Sequence, residues 1–105
     1  MIKVYQIQLT DAEIAMANNG ETSDRIQAYF DRSFEGTFKA ENIKHYTHVA
    51  NVDTNDMEEA YKLMNLWEDE SKVEKLGPCS SMSVGDILEY SGGRFRCASF
   101  GFYQI

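Results

Sequence analysis

No run of apolar residues in this chain approaches the ~18 that a membrane-spanning helix needs. The first nine residues, Met1-Ile-Lys-Val-Tyr-Gln-Ile-Gln-Leu9, alternate apolar and polar side chains where an export signal would carry an unbroken apolar core. These two absences argue against a membrane protein and against secretion, and set the expectation of a cytoplasmic protein. Proline occurs once and cysteine twice. Cys79 and Cys97 form no CxxC pair, and in a reducing compartment both are expected as free thiols. Basic residues are also scarce, 10 Lys and Arg against 17 Asp and Glu. A net charge of −7 argues against direct binding of nucleic acid, whose phosphates call for a basic footprint.

What is present describes a folding domain. A length of 105 residues fits one domain, taken as residues 1–105, and 43% hydrophobic residues are enough to build a core without metal or disulfide support. The opening alternation predicts a strand over about 2–9. Thr10-Asp-Ala-Glu13 reads as a capping box, in which a hydroxyl and a carboxylate three residues apart satisfy free amides at a helix start. That short helix is expected to stop at Asn18-Asn19-Gly20. A second helix is predicted from Thr22 or Ser23, with Ile26, Tyr29, Phe30 and Phe34 as its apolar stripe and Gly36 at its end. Residues 37–44 read as a polar connection. His45 to Val52 has the β-branched and aromatic content of a strand.

A third helix is predicted over about 56–67, capped by Asn55, with Met57, Ala60, Tyr61, Met64 and Trp67 facing the core. The stretch 71–81 contains Gly77-Pro78 and reads as loop. Asp86–Tyr90 and Arg94–Ser99, joined by Ser91-Gly92-Gly93, read as a hairpin, with Phe100–Ile105 continuing it or starting a further strand. The order β-α-α-β-α-β-β is not strict βαβ alternation. It predicts an α+β fold: a small mixed or antiparallel sheet, helices packed on one face, and a C-terminal β-hairpin.

Few residues suggest chemistry. His45 and His48 would point to opposite faces of a strand, which is wrong for a shared zinc ion even with Cys79 and Cys97 to complete the ligands. Cys97 alternates with Phe95 and Ser99 and reads as core packing; nothing supplies Cys79 with a base. Asp53-x-x-Asp56-x-Glu58 lacks the glycine and distal glutamate of a calcium loop, and the glycine turns match no phosphate cradle. No catalytic residue, metal site or cofactor is therefore assigned, and the chain is read as a non-enzyme.

The charge is unevenly placed. Residues 53–74 hold eight acids against Lys62 and Lys72, nearly the whole excess. Asp53, Asp56, Glu58, Glu59, Glu68, Asp69 and Glu70 are the candidate partner-binding residues. One reading is a solvated helix face that favours solubility. The sharper reading is a negative surface that imitates nucleic-acid charge and binds a basic partner.

Three pieces of the C-terminal part carry a resemblance: Ser81-Met-Ser-Val-Gly-Asp-Ile-Leu88, Ser91-Gly-Gly-Arg-Phe95, and Ser99-Phe-Gly-Phe-Tyr-Gln-Ile105. Together with Thr47–Asp53 and Met57–Tyr61, they resemble the YodL-like group of small bacteriophage and mobile-element proteins, over about residues 45–105. The resemblance implies a mobile-element origin and a role in countering or redirecting a host, but no catalytic residues. In physical terms the motif reads as scaffold, with turns at Gly85 and Gly92-Gly93 and buried surface from Ile87, Leu88, Phe95, Phe100 and Phe102. The function expected is a phage-type interaction protein that binds a host protein, such as a nucleic-acid-binding enzyme, without touching nucleic acid or membrane. The alternative is a small-molecule-binding module or minor enzyme with a pocket between sheet and helices, lined by Tyr46, Trp67 or Arg94.

Overall fold

β1 (Ile2–Gln6) is the strand around which the rest is arranged. Its alternation turns Ile2, Val4 and Gln6 inward, each no more than 1% exposed, and leaves Lys3 outside. The computed structural model describes residues 1–33 and 38–105; the assignments of Phe34 and Gly36 to the second helix lie outside them. β1 joins β2 (Thr47–Val52), β3 (Val73–Lys75), β4 (Ile87–Tyr90), β5 (Gly93–Ala98) and β6 (Gly101–Gln104) in one six-stranded sheet of order β3-β2-β1-β4-β5-β6. Every neighbouring pair is antiparallel. The fold is thus α+β with an antiparallel sheet; β4 and β5 form the expected C-terminal hairpin, and β6 is a further strand paired to it. Ser91 and Gly92, both at positive φ, make the tight two-residue turn between β4 and β5.

The β1–β2 register slips between Val4 and Tyr5, which face Ala50 and His48. The extra residue, Val49, is buried beside Ala50 at this bulge. α3 (Met57–Leu66) packs on one face of the sheet: its fully buried Ala60 and Met64 meet Ile2, Val4, Val52 and Leu88 in the main core. Met57, Leu63 and Trp67 close the margin of that cluster, but Tyr61, assigned to the buried face from its spacing, is 42% exposed.

The helix starts follow the sequence closely. At α1 (Asp11–Asn18) the Thr10 hydroxyl accepts from the Glu13 amide at 3.1 Å, and the Glu13 carboxylate accepts from the Thr10 amide at 2.9 Å. That amide holds the Glu13 carboxyl below the usual range. At α2 (Asp24–Asp31) the Ser23 hydroxyl accepts from Ile26 N. Ile26 is buried there but Phe30 is 53% exposed, so the expected apolar stripe is only partly inside.

Three further expectations are corrected. The cap of α3 is Asp56, whose extended backbone aims Oδ1 at the Glu58 and Glu59 amides; Asn55 instead accepts from the Met1 ammonium. The connection before β2 contains a 3-10 helix, Ala40–His45, so His45 precedes the strand that holds His48. The stretch 71–81, expected as loop, begins within a second 3-10 helix, Glu70–Lys72, and continues into β3.

α1 contributes no buried residue, so polar contacts hold it in place. Arg25 of α2 donates to the carbonyls of His45 and Gln8 and pairs with Glu13 at 3.2 Å. One side chain thus ties α1, α2, the 3-10 helix and the exit of β1 together. Arg25→Ala strips charge-assisted donors from two carbonyls and is expected to cost about 2 kcal/mol. A urea titration measures it, and an unchanged midpoint would show that the helices are held by other means.

Candidate functional site

The two halves of the acidic run meet at the outer edge of the sheet. The β2–β3 ladder sets Val52 opposite Val73, and Asp53 N donates to the Lys72 carbonyl at 2.8 Å. Asp53, at the end of β2, therefore lies beside the stretch that carries Glu70. Asp53, Asp56, Glu58, Glu68 and Glu70 are exposed, while Glu59 and Asp69 are half-buried. Several have local structural duties. Asp56 caps α3, Glu59 pairs with Lys72 at 3.8 Å, and Asp69 accepts from the Ser71 hydroxyl. Exposed Leu66 at the end of α3 and Leu76 just after β3 add apolar surface to this part of the chain, whereas Glu58 and Tyr61 line a separate groove against β5 and β6.

A second constellation lies at the other end of β1 and was not anticipated. Gln6 occupies a core position, and its side-chain amide donates to Asp86 Oδ2 and to the Ser80 carbonyl, both at 3.0 Å. Its amide oxygen accepts from Gln8 Nε2 and from the Ser80 amide. Asp86 also accepts from the Ser83 amide at 2.9 Å and pairs with Arg32 at 3.6 Å. Burial pushes the Asp86 carboxyl up to about 6, against the opposing pull of the Ser83 amide, Arg32 and Gln6. Arg32 stacks on the Tyr29 ring and donates to Val84 O and Ser83 Oγ.

These groups floor a cleft of about 370 Å³ between the end of β1, α1, α2 and the segment leading into β4. Its walls include Ile14 and Ala17 of α1 and Phe30 of α2. Tyr46, Trp67 and Arg94 are elsewhere. Tyr46 donates its hydroxyl to the Gly85 carbonyl, Trp67 lies under Lys75, and Arg94 pairs with Glu89. The signal for the cleft was present in β1: Ile2, Val4 and Gln6 share an inward face, and a glutamine there requires buried partners.

The cysteines are both free. Cys97 is packed in the core, and burial raises its thiol to about 11. Burial raises Cys79 as well, so neither is held as a thiolate. His48 stacks on Tyr5 with ring centres 5.0 Å apart and bonds Asn51 at 2.8 Å. Among the described residues no three His, Cys, Asp or Glu side chains gather as a metal ion would require, and no helix is long and apolar enough to cross a membrane. Phe100, assigned to the core from its sequence pattern, is 88% exposed, whereas Phe102 packs against the core.

By its architecture this is an α+β protein with a six-stranded antiparallel sheet, an acidic edge and a charged cleft at the opposite end of its central strand. No protein-family model, curated protein or solved structure matches the chain.

Proposed function

We propose that this chain is a non-catalytic interaction protein that binds a basic surface of a host protein through its acidic edge. The observation that carries the reading is the Asp53–Lys72 backbone bond, which folds the two ends of the acidic run onto one edge. Carboxylates gathered on one surface raise the local negative potential, and an enzyme with a groove for nucleic-acid phosphates offers the matching charge. The resemblance of the C-terminal segments to phage and mobile-element proteins supports a role in redirecting a host from within its cytoplasm. Leu66 and Leu76 supply apolar contact beside the charges, as interface anchors do.

Capture of partners from a bacterial lysate over a salt series tests this. Retention of one specific protein is expected to fall about tenfold or more as ionic strength rises. It should also be lost when Asp53, Glu68 and Glu70, which are exposed and do not cap α3, are replaced by glutamine or asparagine. Capture of no specific protein, or capture indifferent to salt, would sink the proposal.

A further inference from the structure

The cleft at the end of β1 concerns residues apart from the acidic edge and stands independently of it. Among the described residues that line it, only Arg32 and Asp86 are charged, one of each sign and in contact. A ligand with net charge would leave one charge uncompensated in a poorly hydrated place, at high cost, so the floor selects against it. The polar capacity of that floor is also only partly used. Asp86 Oδ2 takes the Gln6 and Ser83 bonds, but among the described residues Oδ1 has only the Arg32 guanidinium at 3.6 Å, beyond ordinary hydrogen-bond length. Arg32 Nε is buried without a hydrogen-bond partner. Above this floor, Ile14 and Phe30 remain 46% and 53% exposed, on helices that flank the opening.

We infer that the cleft binds a small uncharged ligand that carries an N–H donor beside a carbonyl acceptor on an apolar body. A carboxamide or lactam edge supplies both groups at once: its N–H to Asp86 Oδ1, its carbonyl to the Arg32 guanidinium. The apolar body covers Ile14 and Phe30. A volume of about 370 Å³ suits a single substituted ring and lies at the small end of ligand sites.

The test uses the whole chain, isotopically labelled, titrated in amide correlation spectra with benzamide, benzoate and benzylammonium. These three share a ring and differ in the charge of the head group. Benzamide is expected to shift the Gln6 side-chain amide and the backbone amides of Gln8, Asn18 and Phe30, with affinity about tenfold or more above either charged analogue. Ile14→Ser sits on a helix with no buried residue, leaves the fold intact, and should weaken benzamide binding several-fold. Three outcomes would overturn the inference: no benzamide shift at the cleft, equal binding of the three probes, or full binding by the Ile14→Ser variant.

Discussion

Replacing Gly85 with alanine is expected to unfold the protein or to cost at least ~3 kcal/mol, the largest effect of a methyl group added at any of the described glycines. Gly85 is buried at φ +94, and a Cβ there would stand 2.3 Å from the Arg32 carbonyl oxygen and 2.7 Å from its carbon. These are backbone atoms at the end of α2 and cannot swing aside as a side chain could. The glycine itself is held from two sides, its amide donating to the Cys97 carbonyl at 2.8 Å and its carbonyl accepting from Tyr46. Gly20→Ala is the internal control. Gly20 has a similar φ of +78 with nothing near a built Cβ, so it should show only the conformational cost, about 1 kcal/mol. Chemical denaturation of the two variants separates the terms. Equal destabilisation would mean that the contact with Arg32 relaxes freely.

Asp86→Ala should cost about 3 kcal/mol or more, because it leaves the Arg32 guanidinium, the Gln6 amide and the Ser83 amide facing an empty space. Asp86→Asn keeps the shape and one acceptor, and should cost less than half as much. The same residue gives a pH signature. Its folded-state value of about 6 lies above the 3.8 of an exposed aspartate. Between these limits the folded state binds the proton more tightly than the unfolded state, so protonation favours folding. The contribution is complete below about pH 4 and is lost as pH rises through 6. At about 1.4 kcal/mol per unit, the change across that window is on the order of 3 kcal/mol. The measurement is the stability of the natural chain minus that of Asp86→Asn at a series of pH values, which cancels the other carboxylates. A difference that is flat, or that rises between pH 4 and 6, contradicts the assignment.

Much of this framework was legible from local signals. Thr10 with Glu13, and Ser23 before Ile26, state their helix starts through side-chain chemistry alone, and the glycine turn after Tyr90 states its hairpin. β3 was not legible. Val73-Glu-Lys75 is three residues within a charged stretch, with only Val73 buried, and its pairing with β2 gives it strand form. Phe30, Tyr61 and Phe100 were misplaced for a related reason: spacing assigns a residue to a side of its element but does not say whether another element covers that side. The acidic edge could be read as a composition, though not as a place, since its two halves meet only through the β2–β3 ladder. The cleft needed contacts between Gln6 and Asp86, which lie near opposite ends of the sequence. One glutamine on an apolar strand face announced that a partner existed without naming it.

The position of β1 within the sheet also bears on how the chain assembles. An N-terminal strand at the edge of a sheet could dock last; this one lies between β2 and β4, with Val4 opposite both Ala50 and Leu88. During synthesis, β1 must wait until β4, far along the chain, has left the ribosome before its second flank is satisfied. Distant pairings of this kind raise contact order and slow folding relative to helical proteins of equal size. Until β4 arrives, the unfilled side of β1 is an open template for strand addition, and the buried glutamine at its end has no carboxylate to bind. For the nascent chain, the hazard therefore lies on the β4-facing side of β1, a surface that the finished protein does not show.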